Sequence, residues 1–431
     1  MADTLTTFST ISTDAPNVWI SERMYTLTER RLQIGQWAQK YTLPQRMSKT
    51  MRVVRYRRLA LPRATLTEGF APDAVALAVD NVDVTVEQWG IVVLITDVGL
   101  ITTKHPALTV AIQRTALAMA EVLEREMCSM LLGGTNIYYG GTANVARADL
   151  AAGDNLNTSL ILNSTTFLRA KGAADWETGL FGGVMAPQGE AEVLKSDMTF
   201  QNASNYANVK VLQYAEIGVW QGVRWTRGNF LPIFRGEVAP DGDAATTVKA
   251  QLTAGAAGAL ATANYQVVTV AREVNSYYER RISQNSANIA VTGPTGSISV
   301  ALPTSANYVY DIYMTSAGGT APRLVIAAQA NSTTYVITAV PGATAAAPPA
   351  APVAGVEVFV AWVFGQDGFG RVELSGMSLQ SYITPPGASY SNPIAQGRKV
   401  GSKVMWKSFI QDNDFFVRLE HTSSFSAFLA A

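Results

Sequence analysis

The stretch that decides the fold is PALTVAIQRTALAMAEVLEREMCSMLLGG, residues 106–134. Apolar side chains recur in it every three or four residues, the spacing of one face of an α-helix. Pro106 suits the first turn of a helix, and the pair Gly133 and Gly134 suits its end. The sequence therefore predicts an amphipathic helix of about seven turns, with an apolar face made of Leu108, Ile112, Ala116, Met119, Leu123, Met127 and Met130.

The residues before this helix follow the period of a β-strand. Residues 52–59 read RVVRYRRL, in which Arg52, Arg55, Arg57 and Arg58 stand among apolar residues. After turn residues at 71–73, a second extended run places valine at positions 79, 82, 84 and 86. Two such runs predict the strands of a long hairpin. A two-stranded ribbon is only marginally stable alone, so this hairpin is expected to lie on another surface.

Charge is distributed unevenly along the chain. The whole sequence has 33 basic and 33 acidic residues, whereas residues 1–63 hold 11 basic and 4 acidic ones. A basic arm of this kind suits contact with an acidic neighbour or with nucleic acid, and a solvated face is the plainer alternative. A net charge of zero gives a free monomer little protection against association. The charge balance therefore favours a subunit that buries surface in an assembly.

The overall composition predicts a folded chain of two or three domains. Of the 431 residues, 48% are hydrophobic and only 15% are charged. A chain this long and this apolar buries a sizeable core, which excludes global disorder. No apolar run approaches about 18 residues and the start lacks a signal peptide, so the sequence predicts a soluble protein made in a reducing cytosol, with no membrane partner.

A change of composition marks residues 238–354. Charge nearly vanishes there, and short alternating runs are separated by turn residues, which predicts an inserted β-sandwich of immunoglobulin or fibronectin type. The tract at 343–352 resembles a semi-rigid linker. Near the C-terminus, Lys403–Phe409 and Phe415–Glu420 are predicted to pair as a hairpin.

The sequence contains no convincing catalytic or metal-binding motif. One cysteine, Cys128, excludes an intrachain disulfide framework, and two histidines, His105 and His421, exclude a histidine-rich metal site. Cys128 lies within the apolar helix, where a thiol is usually inert. We therefore predict no enzymatic activity, no cofactor and no metal.

Several segments, in this order, resemble the major capsid proteins of tailed bacteriophages, which have the Hong Kong 97 type of fold. The resemblance covers most of residues 60–236 and 356–421. Its segments are 66–69 (LTEG), 84–90 (VTVEQWG), 132–141 (LGGTNIYYGG), 215–218 (AEIG) with 222–225 (GVRW), 363–370 (VFGQDGFG), 397–407 (GRKVGSKVMWK) and 416–421 (FVRLEH). The β-sandwich departs from the shorter pattern of these proteins.

The resemblance implies an α+β fold with a defined division of the chain. The implied parts are an N-terminal arm at 1–43, an extended β-hairpin loop at 44–96, a peripheral domain at 97–199 with a spine helix at 106–132, a first axial part at 200–237, the immunoglobulin-like insertion at 238–354, a second axial part at 355–396, and a C-terminal peripheral-domain hairpin at 397–431.

The resemblance also implies a function and partners. The chain is expected to self-assemble into hexamers and pentamers that form the icosahedral head around the phage double-stranded DNA. A separate scaffolding protein, a portal and a cement or decoration protein are implied partners, with non-specific contact to the packaged DNA. The expected location is the virion capsid, after synthesis in the host bacterial cytoplasm. Lys49 and Lys104 lie near the hairpin, but no motif specifies an isopeptide cross-link, so we expect non-covalent shells.

Two hypotheses remain to be tested. In the capsid interpretation, Arg52, Arg55, Arg57 and Arg58 pair with carboxylates of an adjacent subunit, and the candidate carboxylates are Glu68, Asp412, Asp414 and Glu420. The alternative is a surface adhesin or decoration protein that binds glycans or a host through the immunoglobulin-like part.

Overall fold

The structure is a computed structural model of the chain. It describes residues 33–46, 48–56, 59, 76–96, 107–176, 179–196, 216–229, 231–236, 251–273, 280–285, 289–302, 308–330, 332–350, 352–353, 355–376, 380–384 and 397–425. These residues form two compact units, here called the first unit (the described parts of 38–130 and 367–413) and the second unit (those of 33–37, 131–366 and 414–425).

The described chain is built mainly of strands. The helices are α1 Ala107–Leu131, α2 Thr158–Lys171 and α3 Pro187–Ser196, with short 3-10 turns at Ile34–Trp37, Arg147–Asp149 and Asn413–Phe415. The strands are β1 Gln39–Leu43, β2 Thr50–Tyr56, β3 Val79–Thr85, β4 Glu87–Thr96, β5 Ile137–Tyr139, β6 Phe181–Met185, β7 Glu216–Trp220, β8 Val223–Arg227, β9 Ile233–Gly236, β10 Gln251–Leu260, β11 Ala263–Tyr265, β12 Val267–Glu273, β13 Arg280–Asn285, β14 Ile289–Val291, β15 Gly296–Ala301, β16 Tyr308–Met314, β17 Arg323–Ala330, β18 Thr334–Ile337, β19 Glu357–Phe364, β20 Phe369–Leu374, β21 Gln380–Thr384, β22 Gly397–Ile410 and β23 Phe416–His421.

The first unit is organised around the long strand β22. This strand pairs antiparallel with β4, β20 and β21, and β1 joins the far side of β20 in parallel. Along β22 the buried Val400, Val404 and Trp406 occupy alternate positions, as expected for a sheet with one covered face. On that face the Ser402 hydroxyl donates to Thr115 Oγ1 of α1 at 3.2 Å. The predicted helix at 106–132 is confirmed as Ala107–Leu131.

Strands β2 and β3 form the predicted antiparallel ribbon. Their register pairs Thr50 with Thr85 at one end and Tyr56 with Val79 at the other. Val86 is fully buried and separates β3 from β4, and its N–H donates to the Lys49 carbonyl at 3.0 Å. The chain therefore changes partner at Val86: before it the residues pair with β2, and after it they pair with β22.

The second unit contains a mixed sheet centred on β19, which is apolar except at its first residue and buried along nearly its whole length. One edge of β19 pairs with β23, and the other pairs first with β9 and then with β6. Helices α2 and α3 contribute Leu160, Ile161, Leu168 and Val193 to a core that includes Trp225 and Leu419. Helix α2 begins at Asn157, whose side chain accepts from Leu160 N at 2.9 Å, and it ends at Gly172 (φ 74°).

The described residues of 251–337 form only strands and their connections, as predicted, and share an apolar core that includes Tyr265, Ile298, Tyr308 and Ile312. Strands β10, β15 and β18 form a small sheet, whereas β12, β16 and β17 belong to a larger one. The parallel pairing of β13 with β9 extends this larger sheet from the inserted region into the sheet centred on β19. An immunoglobulin-type topology and the domain bounds given above stay predictions.

The predicted C-terminal hairpin is wrong. Both of its segments are strands, but among the described residues β22 pairs with β4, β20 and β21, while β23 pairs with β19 and β5. The N–H groups of Gln411 and Asp412 both donate to the Gly368 carbonyl, and the 3-10 turn Asn413–Phe415 follows. Backbone pairing with distant strands therefore replaces pairing across the short turn.

Trp37 anchors the N-terminal 3-10 turn in the second unit. Its ring lies against Gly182, where a Cβ atom would come within 2.3 Å of it, and it meets Trp176 edge-on at 5.9 Å. Trp37→Ala is expected to lower the free energy of unfolding by about 3–5 kcal/mol, because a large buried side chain leaves a cavity. Chemical denaturation of the soluble subunit measures this loss. The neighbouring Gln36 is exposed, so Gln36→Ala should change stability by less than about 0.5 kcal/mol. Equal stability of the two variants would contradict this anchoring role.

Candidate assembly surface

The β2–β3 ribbon has one face that packs within its own unit. Met51 and Val53 on β2, with Val82 and Val84 on β3, lie against a cluster that contains Leu43, Val372 and Phe409. The period of two places these side chains on the same side of the ribbon. The expectation that the ribbon needs a supporting surface is thus met on this face by the sheet of its own chain.

The opposite face of the ribbon is apolar and exposed at its far end. Tyr56 and its register partner Val79 are 63% and 42% exposed, and Val54 is 48% exposed. Leu59 and Leu77, just beyond the strand ends in sequence, are also exposed, at 53% and 57%. We call Val54, Tyr56, Leu59, Leu77 and Val79 the ribbon patch. Exposed apolar side chains grouped in this part of the chain favour a protein–protein contact.

Arg52 lies on the same outer face, beyond the ribbon patch. Its Nε and Nη2 donate to the two carboxylate oxygens of Asp83, its register partner, at 2.6 and 2.7 Å. This hydrogen bonding lowers the pKa of Asp83 and raises that of Arg52. Both side chains are exposed, so the pair leaves the outer face without a strong net charge next to the apolar patch.

The other described arginine of the predicted cluster also has a partner in its own chain. Arg55 forms an ion pair with Asp412, whose side chain is 9% exposed, compared with 47% for Arg55. Asp414 pairs with Lys171 at 3.2 Å, and both of those side chains are about half exposed. Arg57, Arg58 and Glu68 lie outside the described residues. Pairing of the arginines with an adjacent subunit stays a prediction.

Glu420 is buried in the second unit within a group that we call the Glu420 cluster: Arg147, Arg418 and Glu420. Arg147 donates to both carboxylate oxygens of Glu420, at 2.7 and 2.5 Å, and Arg418 Nε lies 3.0 Å from Oε1. The outer guanidinium nitrogens also reach backbone carbonyls: Arg147 donates to Ala350 and Arg418 to Leu132. Burial lowers the pKa of Arg418, opposed by the nearby Glu420. Glu420 thus engages partners of its own chain, and the hydrogen bonds of the cluster join residues 418–420 to Leu132 and Arg147, and Arg147 to Ala350.

The described residues include no group of three or more His, Cys, Asp or Glu side chains that could hold a metal ion. Two surface hollows, one around Pro187 and Leu231 and one around Tyr138 and Asn157, are lined by side chains without a carboxylate, histidine or basic group. Within the part of the chain that the structure describes, no helix is long and apolar enough to cross a membrane.

Sequence reasoning missed two features of this surface and its support. The ring of Tyr56 is mostly exposed, which its sequence context does not indicate: the alternating pattern identifies its strand and not which face is covered. Arg147 stands in a glycine- and asparagine-rich stretch that resembles loop, 273 residues from its partner Glu420. No local pattern in the sequence signals that pairing.

No family model matches the sequence, and no curated protein matches it. Solved structures, in contrast, do match this chain. The capsid of cyanophage Pam1 is 11% identical, with 99% of this chain and 100% of that chain covered and a TM-score of 0.53. The capsid of Ralstonia phage GP4 is 10% identical, with 99% and 100% covered and a TM-score of 0.51. The capsid of cyanophage P-SCSP1u is 12% identical, with 94% and 93% covered and a TM-score of 0.51.

These likenesses span nearly the full length of all the chains compared, including the residues that the sequence assigned to an insertion. The chain has the Hong Kong 97 type of fold found in phage capsid proteins, so the predicted α+β fold class is confirmed.

Proposed function

We propose that this chain is the major capsid protein of a bacteriophage, a structural subunit that assembles with copies of itself into an icosahedral head around double-stranded DNA. The observation that carries the proposal is the match of the whole chain to phage capsid chains of nearly the same extent, with TM-scores above 0.5. Hexamers and pentamers are the capsomers we propose, and the virion is the location. The proposed role is structural and not enzymatic.

The ribbon patch supports self-association. Five apolar side chains at the end of the ribbon and just beyond it in sequence are exposed, and the other face of the ribbon is already packed. Covering apolar surface on a neighbour contributes about 25 cal/mol per Å² removed from water, and in a closed shell this contribution repeats at every subunit. We propose that the ribbon patch lies on an adjacent copy of the chain.

We also propose that the arginines of the ribbon contact an adjacent subunit in addition to their partners in their own chain. Arg52 and Arg55 each have a carboxylate partner in their own chain, Asp83 and Asp412. In the proposed assembly the arginines of the ribbon also approach carboxylates of an adjacent subunit, with Glu68, Asp412 and Asp414 as candidates. Glu420 has no role in this proposal because it is fully buried by its own chain.

Further partners follow from the proposed function. A separate scaffolding protein would guide closure, a portal would occupy one vertex, and a cement or decoration protein would bind outside. The packaged DNA would meet the shell without sequence specificity. The near absence of net charge limits tight adhesion to DNA, since such binding scales with the number of phosphates neutralised.

The proposal is tested by expressing the chain, alone and together with the neighbouring genes of its operon, and separating the products by size-exclusion chromatography. We expect material in the void volume that electron microscopy shows as closed shells, tubes or rings of capsomers. A denaturing gel should show monomers, because we expect no covalent cross-links. A chain that stays a monomer even in co-expression would overturn the proposal.

A further inference from the structure

A buried carboxylate holds the C-terminal end of the described chain. Glu192 on α3 is 2% exposed. One of its oxygens accepts from Ser424 N at 2.6 Å, from the Ser424 hydroxyl at 2.5 Å and from the Ser423 hydroxyl at 3.1 Å, and the other accepts from Asn155 Nδ2 at 2.8 Å. The Ser424 N–H and the Asn155 amide nitrogen can only donate, and one of them reaches each oxygen, so this arrangement favours the ionised carboxylate, which only accepts.

A buried imidazole lies next to the same segment. His421 is fully buried, stacked on Phe359 of β19 with ring centroids 6.1 Å apart. The ring also lies close to Gly189 of α3, where a Cβ atom would come within 3.1 Å of it. Its Nδ1 is 2.9 Å from the Thr422 carbonyl, whereas Nε2 is buried without a hydrogen-bond partner among the described residues. A neutral ring with the proton on Nδ1 satisfies this arrangement, and a second proton on Nε2 would be buried without an acceptor.

We propose that Glu192 and His421 form an acid-released clasp that holds residues 422–425 against helix α3 at neutral pH. Thr422 directly follows His421, and its N–H donates to the Asp154 carbonyl at 3.0 Å; the next two residues, Ser423 and Ser424, bond Glu192. Protonating Glu192 removes an acceptor of these hydrogen bonds. Protonating His421 places a second N–H on Nε2, which has no acceptor among the described residues, and a positive charge in a fully buried ring. Both events release the same four residues.

The charged groups around the clasp do not prevent its release by acid. Glu192 and Glu420 favour the protonated imidazole, but Glu420 is already bonded to Arg147 and Arg418. Burial is the largest influence and lowers the pKa of His421 to about 4. At Glu192 burial raises the pKa, yet the hydrogen bonds from Ser424 and Ser423 and the nearby Lys195 outweigh it, so the pKa is lowered. Glu190 on the same helix is bonded to Arg227.

The pH range in which the clasp is stable follows from the linkage between protonation and folding. Both pKa values in the folded chain lie below their unfolded values, which are about 6.5 for histidine and about 4.3 for glutamate. The stabilisation of the clasp is therefore complete above pH 6.5. It is lost first through His421 as the pH falls from about 6.5 towards 4, and through Glu192 below about 4.3.

Hydrogen–deuterium exchange of the full chain between pH 7.5 and 4, corrected for intrinsic exchange rates, tests the clasp. We expect the protection of the Thr422 and Ser424 amides to fall at least tenfold while amides of β19 stay protected. Constant protection of these two amides would overturn the proposal. Simultaneous loss at β19 would also overturn it, because it would indicate global unfolding. The test applies equally to assembled and unassembled chain, so its outcome is independent of the proposed function.

Two variants assign the effect to its groups. Glu192→Gln should release the Ser424 amide already at pH 7.5, since an amide group cannot accept at both of its positions. His421→Leu, which fills the site without titrating, should keep protection at pH 7.5 and shift its loss to lower pH. Glu190→Gln, on the same helix but bonded to Arg227, is the matched control and should leave both amides unchanged. Equal effects of Glu190→Gln and Glu192→Gln would contradict the assignment.

Discussion

Replacing Tyr56 with glutamate is expected to abolish shell formation and to leave the subunit folded. In the isolated chain the Tyr56 ring is 63% exposed, so a carboxylate at this position stays in water and costs the subunit little. In the proposed assembly the ribbon patch is covered by an adjacent copy, and an unpaired buried carboxylate is strongly unfavourable there. Sedimentation velocity measures the shell fraction, and circular dichroism measures the melting of the unassembled subunit.

Val340→Glu is the control for this variant. Val340 is 43% exposed, comparable with Val79 of the ribbon patch, but it lies just beyond β18, far along the chain from the ribbon. Shells are expected to form normally from it. Wild-type shell yields from Tyr56→Glu would contradict the assignment of the ribbon patch to an interface. An equal loss of shells from Tyr56→Glu and Val340→Glu would show that the effect is not specific to the ribbon patch.

Replacing Glu420 with glutamine is expected to destabilise the subunit by about 3–5 kcal/mol, because removing one partner of a buried ion pair leaves the others uncompensated. Here two guanidinium groups, Arg147 and Arg418, would lose their shared carboxylate. A loss of this size is comparable with the whole stability of many domains, so poor soluble yield is also expected. Denaturant unfolding of whatever folds measures the change.

The exposed pair Lys171–Asp414 supplies the matched control. Its side chains are 44% and 47% exposed, and such pairs contribute about 0–1 kcal/mol. Asp414→Asn should therefore be nearly neutral. If Glu420→Gln were as mild as Asp414→Asn, the Glu420 cluster would not hold Arg147 and residues 418–420 together.

Local patterns predicted the elements that depend on local sequence. The spacing of Leu108, Ile112 and Met119 with the flanking Pro106 and Gly133 suffices for helix α1, because a helix closes its hydrogen bonds within itself. The β2–β3 ribbon was predictable for a similar reason: its alternating runs pair only with one another. In this register each exposed residue of β3 has an exposed partner on β2, as for Val79 and Tyr56.

Pairing between distant segments was not predictable from these patterns. The short turn between β22 and β23 favours a hairpin locally, yet β22 finds ten register partners on β4, more than 300 residues earlier. The same holds for the candidate site. Arg55 and Asp412 were both singled out by their charge, but nothing in the sequence indicates that they meet in one chain. Exposure of the ribbon patch depends on which face the sheet covers, and that is a tertiary property.

The central claim is that copies of this chain form a closed icosahedral shell through the ribbon. Cryo-electron microscopy of particles from the co-expression, reconstructed with icosahedral symmetry, tests it most directly. We predict pentamers and hexamers of one chain, with residues 50–56 and 79–85 lying over an adjacent subunit and Tyr56 buried in that contact. Particles in which the ribbon patch faces solvent, or a preparation that contains only monomers, would contradict the account.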